Sequence, residues 1–182
     1  FRSGGILEGV LDPKMAPFLL ALFAFGVGKA ALMPIHRWLP AAMVAPTPVS
    51  ALLHAVAVVK AGVFTILTVV VYVFGIDFLS SSGASLWLVW LASFTVLASS
   101  FVAITKDDIK ARLAYSTISQ LSYIVLGAAI ATSVAAQAAA MHIVMHAAGK
   151  ITLFFCAGAI YVQAHLTKVS ELDGQGREMP WV

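Results

Sequence analysis

Charge is what this 182-residue chain has least of: 10% of its residues are Asp, Glu, Lys or Arg, against 61% hydrophobic. With a mean hydropathy of +0.97, that composition lies far from the roughly one-quarter charged surface of a soluble domain and reads as a membrane protein. Cysteine is nearly absent. Cys156 stands alone in an apolar run, which excludes an internal disulfide framework and leaves it as a packing residue. Basic stripes interleaved with aromatics are missing too, so the formal net charge of +3 does not point to nucleic acid. There is no cysteine cluster, flavin motif or nucleotide-binding motif. The chain therefore carries no catalytic chemistry of its own, and any enzymatic role is as a subunit whose redox groups belong to partners. Phe1 in place of Met, the lack of a signal-peptide pattern and the polar approach to Trp181 read as a fragment of a longer protein.

Apolar runs near the roughly 20 residues that span a bilayer occur five times. They fall at Pro13 to Met33 with a continuation from Ile35 to Ala45, Thr47 to Phe74, Leu86 to Ile104, Ile109 to Ala131 and Ser133 to Gln163. The reading is an all-α polytopic bundle over residues 13–163, preceded by an extramembrane stretch (1–12) and followed by a polar connection (164–182). Gly28, Pro34 and Pro40 predict a broken first helix, because proline removes a backbone donor and glycine loosens the helix. Thr105 and Asp108 have the spacing of a helix-start cap for the fourth run. The alanines opening the fifth run predict a helix inside the bundle. The third run has no ionisable residue and reads as lipid-facing or packing only. Lys106, Lys110, Arg112, Lys168 and Arg177 fall on one side of the membrane against Arg2 and Lys14, which places the "TKDDIKAR" loop and the C-terminal tail in the cytoplasm.

Every acid lies outside or at the edge of these runs, whereas Lys29, Lys60, Lys150, His54, His142 and His146 lie inside them. A lysine at mid-bilayer costs about 3 kcal/mol, so intramembrane bases of this kind are functional candidates by default. His142, His146 and Lys150 follow each other by one turn, drift about 80° around the axis and rise about 6 Å per step. That is a stripe suited to passing protons through bridging waters. Lys60 and His54, about 120° out of phase, should meet different neighbours. Ser50 shares the His54 face, and Ser116, Ser119, Gln120 and Tyr123 form a hydroxyl- and amide-rich band able to hold water. The bland alternatives are a structural His54 bonded to a carbonyl, and serines acting as helix–helix glue. A metal on His142 and His146 lacks a third ligand, and haem on His54 leaves three lysines unexplained. No metal and no cofactor is expected.

The segments "GVGKAALMPIHRWLPAAMVAPTPVSALLHAVAVVKAGVF" (Gly26 to Phe64), "DIKARLAYSTISQLSY" (Asp108 to Tyr123) and "MHIVMHAAGKITLFFCAGAIY" (Met141 to Tyr161) resemble the antiporter-like membrane subunits. These are shared by respiratory complex I, Mrp-type monovalent cation/proton antiporters and membrane-bound hydrogenases. The resemblance implies a fourteen-helix fold of two inverted five-helix repeats, of which this chain covers about the seventh to the eleventh helix. It implies that Lys29 sits at the break of the seventh helix, opposite a glutamate on the fifth, and that His54 and Lys60 lie on the eighth. His142, His146 and Lys150 then belong to the central hydrophilic axis. It implies proton translocation within a multisubunit complex in the bacterial inner membrane, with protons and Na+ or K+ as cargo, other integral membrane subunits as partners and lipid around them. A redox-driven pump subunit is the alternative. "LLHAVAVVKAGVF" and the tail "VSELDGQGREMP" look most like the D-type subunit of Mrp antiporters.

Overall fold

The computed structural model describes residues 4–182, apart from the side chains of Ala55 and Val56; Arg2, one of the two charges assigned to the second membrane face, lies outside them. The described chain is helical, with no strand beyond a single antiparallel bridge between Asp108 and Lys168. Among the described residues three helices are long and apolar enough to cross a membrane: α2 (Thr47–Phe74), α4 (Leu86–Thr105) and α6 (Ser133–Ala164). With them run the shorter apolar helix α1 (Ala16–Gly26), a short α3 (Ile76–Ser82) and the more polar α5 (Ile109–Ala129).

The first run breaks as its glycines and prolines predict, and earlier than Met33. α1 ends at Gly26, and the chain continues through short turns at Gly28–Ala30 and Ile35–Arg37, a single helical turn at Trp38–Ala41 containing Pro40, and a last turn at Ala42–Val44. An 11-residue helix rises only about 16 Å, so these turns supply the remaining depth. Backbone polar groups freed by such a break need partners. The indole Nε1 of Trp38 donates to Gly28 O at 3.1 Å, and Thr95 Oγ1 on α4 accepts from Met33 N at 3.4 Å.

α2 is entered through Pro46 with Pro48 in its first turn, where a missing N–H costs nothing. Two π-helical turns interrupt it, at Leu52–Val56 and Val69–Phe74. The second has a visible use: Ile6 N and Leu7 N donate to Tyr72 O and Val73 O at 2.9 Å each, docking the N-terminal stretch on carbonyls of the widened turn. The break packs on α2 at Gly62, where a Cβ would come within 2.6 Å of backbone atoms of Lys29 and Ala30.

α4 and α5 form the most extensive helix pair. Trp90, Phe94 and Phe101 on α4 are exposed within this chain while Thr95 and Ser99 are buried. The cap of α5 differs from the predicted one. Asp108 alone caps it, its Oδ1 accepting from Ala111 N at 2.7 Å, whereas Thr105 is the last residue of α4 and turns its hydroxyl back to Val102 O. A threonine hydroxyl within a helix finds its own i−3 carbonyl before a distant amide.

α6 is capped by Thr132 and touches α5 through small residues, with Ala139 Cβ 3.1 Å from the position of a Gly127 Cβ. Only one stripe is buried: Ala136, Ala139, His146, Lys150, Phe154 and Ala157. Met141, Val144, Met145, Phe155 and Val162 stay exposed. Within the described residues α6 therefore packs through one stripe only, and the rest of its apolar surface is without a neighbour in this chain.

Candidate functional site

α2, α5 and α6 enclose the buried bases. Lys60 is 6% exposed, His146 9% and Lys150 4%, so three basic groups share an interior that, among the described residues, holds no acid. The Lys60 ammonium meets Nδ1 of His146. The rings of His146 and His142 stack at 6.0 Å with 12° between their planes. On its outer side His142 Nε2 bonds Gln120 Oε1 at 2.9 Å, and Tyr123 stands 6.4 Å away, ring to ring. One turn in the other direction, Lys150 Nζ donates to Ser116 Oγ at 2.5 Å and to Leu113 O at 2.9 Å. The ladder on α6 is thus read against a second ladder on α5, Ser116 and Gln120, with Lys60 entering from α2 at the middle rung.

The Leu113 carbonyl is a member of the site that sequence reasoning missed. It accepts from Thr117 Oγ1 at 2.8 Å, from Ser116 Oγ at 3.0 Å and from Lys150. The signal was present: hydroxyl residues three and four positions on reach back to just such a carbonyl.

His54 is fully buried, its ring 5.6 Å from Phe154 on α6. Neither of its ring nitrogens has a hydrogen-bond partner among the described residues. His54 and Lys60 were expected to face different neighbours, yet both meet α6, eight residues apart along it. The π-turn between them removes the uniform 100° step on which that expectation rested, and α6 lies along most of α2. Ser50 lies one turn before His54 and donates to Ala45 O at 3.0 Å.

Two predicted members lie apart. Ser119 is buried against α4, where it bonds Ser100 Oγ at 2.9 Å and Val96 O at 3.3 Å, a helix–helix contact. Lys29 is exposed on the turn after α1. Gly62, which packs on that turn, is about 200° around α2 from Lys60. The body of α2 therefore stands between Lys29 and the Lys60 cluster.

The described residues bring together no group of three or more His, Cys, Asp or Glu. The partner held by His146 Nδ1 is the Lys60 ammonium.

Residues 9–182 match the family described as NADH:quinone oxidoreductase/Mrp antiporter, transmembrane. The chain belongs to this family. It is an integral membrane protein. Its relatives include the L subunit of the F(420)H(2) dehydrogenase of Methanosarcina mazei, 37% identical over 88% of this chain and 24% of the relative. The A/B subunit of a probable K(+)/H(+) antiporter of Rhizobium meliloti is 39% identical over 92% of this chain and 16% of the relative. Among solved structures, the Mrp complex of Dietzia sp. superposes with a TM-score of 0.84 at 36% identity, covering 96% of this chain and 19% of that one. The chain thus spans about a sixth to a quarter of the length of the curated relatives it matches.

Proposed function

We propose that this chain is part of a proton-translocating subunit of a multisubunit monovalent cation/proton antiporter, with the Lys60–His146 contact at the hub of its proton path. That contact carries the reading. Two basic nitrogens in direct contact in a membrane interior can pass a proton from one to the other. From His146 a proton has two outlets one turn away, His142 with Gln120 and Lys150 with Ser116. Single waters complete the steps of about 6 Å. His54, with neither ring nitrogen bonded among the described residues, extends the path one turn beyond Lys150. Lys29, across α2, acts on Lys60 through charge and not contact: when it pairs with an acid elsewhere in the parent protein, the field at Lys60 changes. The broken helix gives Lys29 a place to move.

The antiporter named among the relatives supports cation exchange, and other integral membrane subunits and the bacterial inner membrane are the corresponding setting. The segment around Lys60 and the polar tail favour a D-type Mrp subunit within that reading. A specific observation favours a second reading, a pump module driven by electron transfer: the dehydrogenase relative is as similar as the antiporter relative.

Proton flux in inverted vesicles carrying the full-length parent and its native partner subunits, with no reductant, separates the two. Flux that starts on adding Na+ or K+ and is lost in Lys29→Ala with assembly intact is the expected result. Flux that waits for an electron donor would make the chain a redox-driven pump module, and wild-type flux in Lys29→Ala would remove Lys29 from the mechanism.

A further inference from the structure

A cavity of about 940 Å³ lies at one end of the bundle, away from the Lys60 cluster, between the segment entering α2, the start of α5 and the last turns of α6. Three helix ends define its level. α2 begins at Thr47, α5 begins at Ile109 and α6 ends at Ala164, so its mouth is at the membrane surface. Its floor is Phe154, fully buried beneath the His54 ring. From Phe154 to Ala164 α6 rises about 15 Å, which is half of a hydrocarbon core of about 30 Å, one leaflet. The walls are mostly apolar, and Phe155 and Val162, which line them, are exposed within this chain, so one side of the cavity is uncovered by the described residues at the depth of acyl chains.

The mouth carries a cation with spare donors. Lys110 lines the cavity and donates one of its three N–H groups to Ala45 O at 2.9 Å. The only ion pair among the described residues is Lys168 with Glu171. Asp108, also at the mouth, is occupied in capping α5. Lys106 and Arg112 add positive charge to the same loop, which the basic-residue bias assigns to the cytoplasmic face, where anionic lipids concentrate.

We propose that this cavity seats one acyl chain of an anionic phospholipid, with the lipid phosphate held by the Lys110 ammonium. The depth fits one leaflet, the walls fit a hydrocarbon chain, and a lysine without a carboxylate fits a phosphate. A lipid so placed closes the side of the bundle over Phe154 and hence over His54. The proposal stands independently of the cation that the parent protein moves.

The test is native mass spectrometry of the full-length parent in its complex, exchanged into nanodiscs of phosphatidylglycerol or of phosphatidylcholine. The expected result is a retained phosphatidylglycerol, preferred about fivefold over phosphatidylcholine, with the preference lost in Lys110→Gln and all retention lost in Ala159→Trp, which fills the cavity. Equal retention of both lipids, retention indifferent to both variants, or no retained lipid because another segment or protein occupies the cavity would each overturn it. A photoactivatable acyl-chain phosphatidylglycerol crosslinked to the wild-type complex needs no variant. Label in the peptide carrying residues 154–162 supports the site, and label only elsewhere overturns it.

Discussion

Lys60 on α2 reaches Nδ1 of His146 on α6, 86 residues away in sequence, and this contact joins the two helices at the level where the buried bases cluster. If the pair works as one proton-handling unit, each of Lys60→Ala and His146→Ala lowers flux by about a hundredfold, and the double variant falls no further than either single one. Flux assays on the three variants in vesicles read this directly. A double variant at the product of the single effects would show two groups acting separately.

Gln120 gives His142 its protein hydrogen bond. Gln120→Leu leaves Nε2 of His142 half-buried and unpaired, and lowers the stability of the complex by about 1–3 kcal/mol. Thermal unfolding followed by size-exclusion chromatography detects it, with Ser80→Ala, at an exposed position of α3, as a control that stays level.

Gly62 lets the Gly28–Ala30 turn lie against α2. A Cβ at that position meets main-chain atoms of Lys29 and Ala30 at 2.6 Å, and backbone cannot swing aside as a side chain does. Gly62→Val therefore costs at least about 1–3 kcal/mol and displaces the Lys29 turn. Reduced yield of folded complex and faster protease cleavage between residues 28 and 37 are the expected readouts.

Asp107, in the loop between α4 and α5, ties the chain after α6 to that loop. Its carboxylate accepts from Ser170 Oγ at 2.7 Å and Ser170 N at 3.0 Å. The Ser170 hydroxyl first, then the Ser170 amide, with the charges of Lys168 and Arg112, hold the Asp107 carboxyl below its ordinary value of 3.8. A depressed carboxyl stabilises the tie above pH 3.8 and releases it as pH falls through the lower folded value. Carboxyl carbon NMR of labelled aspartate should show a titration midpoint below 3.8 that moves up toward it in Ser170→Ala.

Apolar run length made the spans legible: α2, α4 and α6 begin where composition changes, and the Gly28 and Pro34 break follows from backbone chemistry alone. The lysines and histidines were legible as well, because a charge inside an apolar run stands out in one dimension. Pairing was not. The Lys60–His146 contact depends on how α2 lies against α6, which no local pattern encodes. The phase of His54 could not be read because a π-turn has no composition of its own here; "LLHAV" is as good an α-helix as any. Ser119 and Ser116 look alike in the string, yet a rotation of about 60° sends one to α4 and the other to Lys150.

The π-turn at Leu52–Val56 also sets how this helix tolerates change in length. An added residue absorbed in a wide turn leaves both flanks in their grooves, whereas the same residue in an uninterrupted helix would rotate everything after it by about 100°. Deleting one residue there would tighten the turn to ordinary pitch and leave Lys60 and Gly62 facing as they do. The same deletion in the uninterrupted helix between Val56 and Lys60 would turn both by about 100°, and the lysine would leave its histidine at the same moment that the glycine left the Lys29 turn. One short segment therefore keeps both faces of α2 in register with their neighbours.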